Sequence, residues 1–235
     1  MKPILIMIHG WTKEGSDSFS ETVKFLKDDF EINLIDLPGF KKPLERPYSF
    51  DDYLNYLEAQ INLDQFYLLG HSFGGALAML YALKHPEKIK KLILYNPAII
   101  REKNLKIKIS LFLSKIFKFF KKIIPQKIFY FLKKAYYKFI VQSYDYFNAD
   151  ENLKKTFSNI VKVDLRNLAK DLKVKTILLW SKNDKFTPLR HGKILKNLIP
   201  GAELIVIDGG HSFHKEKPEE FAKILKRIIK DINRQ

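Results

Sequence analysis

The sequence contains no cysteine, which excludes disulfide bridges, thiolate metal sites and a cysteine nucleophile. It also has no run of about 18 uncharged apolar residues, the length that a membrane-spanning helix needs. The apolar start MKPILIMIHG is too short for the hydrophobic part of a secretion signal, and it has no small-residue cleavage site. We therefore expect a cytoplasmic protein.

Arginine is scarce as well. The formal net charge is +16 at pH 7, but most of the 42 basic residues are lysines. Sites that grip phosphate or base edges more often use the planar fork of arginine than the hydrated point charge of lysine. The sequence has no zinc-finger spacing and no RNA-binding signature. We therefore expect no nucleic-acid partner, and a compositional bias toward lysine explains the charge at least as well as a function does.

Material for a hydrophobic core is abundant, since 46% of the 235 residues are hydrophobic. Short apolar runs alternate with longer amphipathic segments, and this alternation predicts a parallel sheet with helices on both faces. Most of the runs are continuously apolar, which is typical of strands covered on both sides. Six strands are predicted: Ile4–Ile8, Ile32–Asp36, Phe66–Leu69, Lys91–Tyr95, Thr176–Trp180 and Glu203–Ile207.

One region interrupts this alternation. Residues 101–164 have no strand signal, and their apolar residues recur at helical spacing opposite lysines, with a break at Pro125. We predict an all-helical cap over 101–164, inserted between two strands of a core formed by 1–100 and 165–235. Several apolar side chains in or beside this cap are candidates for the wall of a substrate pocket, or simply for the core: Ile99, Ile100, Phe112, Phe119, Phe131 and Phe139.

The stretch FYLLGHSFGGALAMLYA places Ser72 between a predicted strand and a predicted helix. A hydroxyl attacks a carbonyl at neutral pH when a base removes its proton and hydrogen-bond donors stabilise the resulting oxyanion. Gly70 and Gly74 complete the G-x-S-x-G pattern of a nucleophile elbow, in which bulk is excluded two residues before and after the serine. Phe73 then offers its N–H at the start of the helix. The alternative is a tight turn with a capping serine.

The base and its orienting acid have predicted places late in the chain. His211 follows the last predicted strand directly, and we prefer it to His214 for that reason. Asp184 lies in the polar turn after WSKN, and we prefer it to Asp208 because that turn otherwise has no explanation. The order Ser72, then acid, then histidine is one of three known orders for these roles.

A second oxyanion donor is expected from the loop in LIMIHGWT. We assign it to the N–H of Trp11, with Gly10 allowing close approach of a substrate and His9 organising the loop through hydrogen bonds. A metal site built from His9, His71 and His211 is the alternative, but no spacing like that of HExxH supports it, and we expect no metal.

Together, MIHGW, LIDLPGF, LLGHSFGG, LLWSKNDKFTP and GGHSFHKEKPEEF resemble the α/β-hydrolase superfamily, in its compact branch with a helical cap. The resemblance covers about residues 3–100 and 165–232. It implies a serine hydrolase that uses Ser72, Asp184 and His211 and needs no external cofactor. The first two strands of larger members are missing before HGW, so a six-stranded, wholly parallel sheet is expected.

The resemblance and the apolar cap predict hydrolysis of small carboxylic esters or lactones with an apolar acyl group. Carbon–carbon bond hydrolysis uses the same residue types and stays open, and a non-catalytic binding protein is a further alternative. Residues 101–147 contain many lysines but only two acidic residues, Glu102 and Asp145. A solvated outer face explains this charge best, and peripheral contact with an anionic membrane that supplies lipid esters is the other interpretation.

Overall fold

Six strands form one sheet in the computed structural model, which describes residues 2–101 and 150–230. The strand order is β2-β1-β3-β4-β5-β6, and every neighbouring pair is parallel. The wholly parallel, six-stranded sheet predicted from the sequence is therefore confirmed. In chain order the strands are β1 Ile4–Ile8, β2 Glu31–Ile35, β3 Phe66–His71, β4 Ile89–Tyr95, β5 Thr176–Ser181 and β6 Glu203–Ile207.

Helices alternate with these strands along the chain. The helix over Phe50–Gln60 begins with a capping box, in which the amide of Asp52 donates to the Ser49 hydroxyl and the amide of Ser49 donates to the Asp52 carboxylate. The described helices are α1 Ser20–Leu26, α2 Phe50–Gln60, α3 Phe73–Lys84, α4 Glu151–Ile160, α5 Leu189–Leu198, α6 Phe213–Glu216 and α7 Pro218–Lys230, with 3-10 turns at Gly15–Phe19, Pro86–Lys88 and Ala169–Asp171.

Both faces of the sheet are covered by helices. Successive strand residues point to opposite faces, so Leu5 and Met7 pack in the cluster that includes side chains of α1 and α7, whereas Ile6 and Ile8 pack in the cluster that includes α2 and α3. All four of these side chains are fully buried. Burial on two faces explains why the strands have continuous rather than alternating apolar sequence.

The sheet order reverses direction between β1 and β3. β2 lies on one side of β1, and all later strands are added on the other side. In an open parallel sheet, the loops that follow the strands on either side of such a reversal leave a crevice at the carboxyl ends, where ligands usually bind. The loop after β1 begins with His9, and the turn after β3 begins with Ser72, so the predicted site residues flank this crevice.

Residues 102–149, most of the predicted cap, lie outside the described residues, as do Phe112, Phe119, Phe131 and Phe139. The cap and its boundaries therefore stay predictions. The described part, α4, is anchored to the core side by the hydroxyl of Thr156, which accepts a hydrogen bond from the amide of Tyr48 at 2.7 Å. Among the helices that the structure describes, none is both long enough and apolar enough to cross a bilayer.

Candidate active site

Ser72 has a backbone conformation that non-glycine residues rarely adopt, with φ of 52° and ψ of −113°. Such a conformation costs on the order of 1–3 kcal/mol and persists where neighbouring contacts enforce it. Here the Ser72 amide donates to the carbonyl of Tyr95 at 3.0 Å, and the Ser72 carbonyl accepts from the amide of Ala98 at 2.8 Å. The half-buried serine is thus held on a sharp turn between β3 and α3 by the chain that leaves β4.

The two glycines of the G-x-S-x-G pattern lie where main chain packs directly on main chain. A Cβ atom on Gly74 would lie 2.3 Å from the carbonyl oxygen of His9, and one on Gly70 would lie 2.4 Å from the carbonyl oxygen of Gly74. Real Cβ atoms essentially never approach backbone atoms this closely. The glycines therefore bring β1, β3 and the first turn of α3 close enough for Ser72 to stand beside the loop after β1.

Asp184 and His211 are brought together across the ends of β5 and β6. The Nδ1 atom of His211 donates to Oδ2 of Asp184 at 2.6 Å. The same carboxylate accepts from the amides of Phe186 and Thr187 at 2.7 and 2.9 Å, and from the Thr187 hydroxyl at 2.8 Å. Because Nδ1 carries the bonded proton, Nε2 of a neutral His211 is free to accept one.

The environment keeps Asp184 ionised although its side chain has no exposed surface. Burial acts to raise the pKa of this carboxyl, but the hydrogen bonds from His211 and Thr187 outweigh burial and leave the pKa of Asp184 below its ordinary value. An ionised Asp184 fixes the tautomer of His211 and would stabilise the imidazolium if His211 gained a proton.

Asp208 and His214, the alternatives to Asp184 and His211, do not form such a pair in the structure. Asp208 is exposed, and its carboxylate accepts from the side-chain amide of Asn183 at 3.0 Å. His214 is 1% exposed, and neither of its ring nitrogens has a hydrogen-bond partner among the described residues. Of the histidine and carboxylate pairs considered from the sequence, the structure joins His211 with Asp184.

The main-chain carbonyl of His211 is held by three donors that sequence reasoning did not assign to this task. It accepts from Nε2 of His71 at 2.9 Å, from the side-chain amide of Asn96 at 3.1 Å and from the Tyr95 hydroxyl at 3.2 Å. Asn96 also accepts from the amide of Ser181 at 2.7 Å, which ties the end of β4 to the end of β5. The sequence does contain a signal for two of these donors, because Tyr95 and Asn96 are hydrogen-bonding residues at the carboxyl end of a predicted buried strand.

Ser72 and His211 line one cavity of about 360 Å³ at the carboxyl ends of the strands. Trp11 and Phe73 line it too, and their rings pack edge to face with centroids 5.4 Å apart. Ile99 and Ile100, considered for the pocket, are instead buried in the core cluster on the α2 and α3 face. The other described wall residues are Gly10, Thr12, Ser18, His71, Ala98, Arg101, Phe157, Ile160, Val161, Phe186, Thr187, Ser212, His214 and Lys215.

His9 joins two loops beside this cavity. Its Nε2 accepts from the amide of Leu37 at 3.0 Å, so Nδ1 carries the proton and donates to the carbonyl of Gly10 at 2.7 Å. Burial lowers the pKa of His9 to about 4, so the ring is neutral near pH 7. Within residues 2–101 and 150–230, no group of three or more histidine or acidic side chains could hold a metal ion.

Comparison with known proteins identifies the family. The profile of the alpha/beta hydrolase fold matches residues 3–218. The chain belongs to the alpha/beta hydrolase fold family. An alpha/beta hydrolase enzyme from the metagenome of sediments of the Mar Chica lagoon, Morocco, has a crystal structure that matches with a TM-score of 0.70 and 25% identity, covering 99% of this chain and 93% of that one.

Curated relatives of this alpha/beta hydrolase match over most of its length. A pimeloyl-[acyl-carrier protein] methyl ester esterase of Wigglesworthia glossinidia brevipalpis is 27% identical, covering 97% of this chain and 94% of that protein. A 2-hydroxy-6-oxononadienedioate/2-hydroxy-6-oxononatrienedioate hydrolase of Comamonas testosteroni is 26% identical, covering 94% of this chain and 85% of that protein. The two relatives match at nearly equal identity but are named for different reactions.

The packing at the elbow predicts that Gly74→Ala destabilises this alpha/beta hydrolase. The added methyl group would meet the carbonyl oxygens of His9 and Ile8 at 2.3 and 2.5 Å. We expect the free energy of unfolding in urea to fall by about 2–3 kcal/mol or more, as for other overpacked sites. The control is Gly210→Ala, whose methyl group would meet the movable carboxyl group of Glu216 at 2.9 Å. An equal loss in both variants would contradict this account.

Three buried histidines predict that stability falls as the pH is lowered. Burial lowers the pKa of His9 to about 4, that of His214 to about 3 and that of His71 well below its ordinary value. The unfolded chain takes up protons at these residues near pH 6.5 while the folded chain does not, so the unfolded state gains stability below that pH. Each histidine should lower the free energy of unfolding by roughly 2 kcal/mol between pH 7 and pH 5.

The variant His214→Leu tests this pH dependence. It removes one titrating group whose ring nitrogens make no hydrogen bond in the described structure, so the fall between pH 7 and pH 5 should shrink by about a third. Phe221→Leu, beside His214 at a ring distance of 5.9 Å, is the control and should lower stability equally at both pH values. An unchanged pH dependence in His214→Leu would show that this ring is protonated in the folded protein.

Proposed function

We propose that this alpha/beta hydrolase cleaves carboxylic esters through an acyl-enzyme on Ser72. The observation that carries the proposal is the 2.6 Å bond from His211 to Asp184 at a cavity that Ser72 also lines from a strained turn. In this mechanism Nε2 of His211 removes the proton from the Ser72 hydroxyl as the oxygen attacks the ester carbonyl. His211 then gives the proton to the leaving alcohol, and water repeats the two steps on the acyl-enzyme.

The oxyanion formed in each step would accept from the amides of Trp11 and Phe73. Both residues line the cavity with Ser72, and neither amide donates to an acceptor in the part of the chain that the structure describes. Phe73 is the first residue of α3, where the positive end of the helix dipole favours negative charge. Two such donors in a largely apolar cavity are worth several kcal/mol of barrier, on the order of 3 kcal/mol each.

Ester hydrolysis is favoured over the other reactions by the curated relatives. The Wigglesworthia protein, matched over 97% of this chain, is named as a methyl ester esterase, and we propose a related ester or lactone substrate with an aliphatic acyl group. The name of the Comamonas relative contains a ketone and no ester, so carbon–carbon bond hydrolysis is the second candidate. We also propose, from the sequence, a cytoplasmic location and a reaction that needs no cofactor.

The proposal predicts that Ser72→Ala abolishes turnover of p-nitrophenyl esters and labelling by a fluorophosphonate probe. Loss of the nucleophile should lower kcat by about 10⁴ or more. Ser212→Ala is the control, because Ser212 lines the same cavity and its hydroxyl caps no helix amide. The rates for a series of p-nitrophenyl esters with increasing acyl length, measured on the wild type and both variants, define the preferred acyl length.

Each other outcome of this experiment has a distinct meaning. If the wild type is labelled at Ser72 but hydrolyses no ester in the series, the carbon–carbon reaction becomes the better explanation. If the wild type is neither labelled nor active on any ester, the hydrolase proposal is wrong and a binding function is favoured. If the Ser72→Ala variant is still labelled by the probe, a residue other than Ser72 is the nucleophile.

For the lysine-rich segment 101–147, we propose a solvated outer face and expect no stable membrane contact. Of these residues the structure describes only Arg101, which lines the cavity, so the proposal concerns the other residues and rests on the sequence pattern. We expect the protein to stay in the dense fraction when floated with anionic liposomes at low salt, as it should with neutral liposomes. Flotation with the anionic vesicles that disappears at high salt would instead assign peripheral membrane contact.

A further inference from the structure

Arg101 lines the same cavity as Ser72 and His211. Its Nε atom is buried and has no hydrogen-bond partner among the described residues. Arginine stays ionised in proteins, and an ionised group taken out of water without a partner is costly. A buried polar group without a partner is rare in native structures and calls for an explanation, and a bound anion is one such explanation. The described residues therefore leave the Nε donor of this guanidinium unpaired beside the cavity.

The neighbouring carboxylate, Asp164, is committed to a different arginine. Arg166 donates to Asp164 from Nη2 at 2.6 Å and from Nε at 3.0 Å, whereas Arg101 reaches Asp164 through its main-chain amide at 3.2 Å. The described guanidinium hydrogen bonds to this carboxylate therefore come from Arg166, and Arg101 contributes its main-chain amide. Burial lowers the pKa of Arg101, and the charge of Asp164 opposes this only in part.

The remainder of the described cavity wall does not neutralise this charge. The wall contains no aspartate or glutamate among the described residues. Its other cation, Lys215, is already paired with Glu14. Beside these two, much of the wall is apolar, and in such surroundings a charge acts more strongly on a ligand than it does in water. The apolar members include Ala98, Phe157, Ile160 and Val161.

We propose that Arg101 binds a carboxylate of the substrate, which makes the preferred substrate a monoester of an aliphatic dicarboxylic acid. This inference rests on the proposed ester hydrolysis at Ser72. The ester carbonyl lies at the serine, the methylene chain contacts the apolar wall, and the far carboxylate accepts hydrogen bonds from the guanidinium. One guanidinium carries a single positive charge, which a monoanion balances, whereas a phosphate dianion would add a second negative charge.

Paired esters test the charge preference. We compare kcat/KM for mono-p-nitrophenyl adipate, which has a free carboxylate, with the neutral methyl p-nitrophenyl adipate. In Arg101→Met, kcat/KM for the acid should fall about 10- to 100-fold, the size of a lost charged hydrogen bond, while the neutral ester changes little. Arg101→Lys keeps the positive charge, so its kcat/KM for the acid should lie between the values of the wild type and of Arg101→Met.

Arg46→Met is the matched control. Arg46 is exposed and already paired with Asp52 at 2.6 Å, so its loss should leave the ratio of the two ester rates unchanged. The main-chain contacts of Arg101 with Asp164 and Arg166 do not depend on its side chain, and the thermal midpoint of each variant reports its folding. Equal losses on both esters in a folded Arg101→Met protein would overturn the carboxylate site.

A binding measurement separates this inference from the proposed reaction. Calorimetry on Ser72→Ala should find that octanoate binds more tightly than octanamide, and that adding Arg101→Met removes the difference. This result stands even if the wild type hydrolyses no ester, an outcome that would defeat the proposed reaction alone. Octanoate and octanamide of equal affinity would overturn the carboxylate site, and so would octyl phosphate that binds more tightly than octanoate.

Discussion

The hydrogen bond from His211 to Asp184 is the interaction on which the site depends. Asp184 has no exposed side-chain surface, so its charge is tolerable only because both oxygens are fully used by donors. Three of the four donors belong to Phe186 and Thr187 in the turn between β5 and α5, and these bonds also define the conformation of that turn. The same two carboxylate oxygens therefore stabilise the turn and orient the imidazole of His211. Removing the carboxylate would disturb the turn and the orientation of the ring together.

The parallel sheet explains how residues far apart in the chain reach this pair. The carboxyl ends of all six strands lie at one edge, so the loops after β1, β3, β4, β5 and β6 converge there. The ring of His211 is fixed by a side chain after β5, and its carbonyl by donors on β3 and after β4. Holding one residue at both its side chain and its main chain leaves little freedom for the imidazole to rotate.

The local sequence pattern was sufficient to predict the strands of the sheet and the tight turn at Ser72. Continuous apolar runs predicted all six strands with ends within two residues of those observed, and the glycines around Ser72 predicted a close approach of main chain that the structure contains. The sequence also predicts a first helix over Asp17–Phe30, and this extent is wrong, because residues 15–19 form a 3-10 turn and α1 ends at Leu26. Helix ends depend on local main-chain bonds that residue spacing does not encode.

Tertiary partners were harder to predict, and Arg101 illustrates the physical reason. In the sequence it is one of many basic residues in a lysine-rich segment, and surface charges of that kind are screened by salt within about 10 Å. In the fold it lies in the cavity wall, where burial weakens screening and neighbouring charges are already paired. The net charge of +16 therefore says little about the site, because what a ligand meets there depends on the charges in the cavity wall and on the donors that their neighbours leave unpaired.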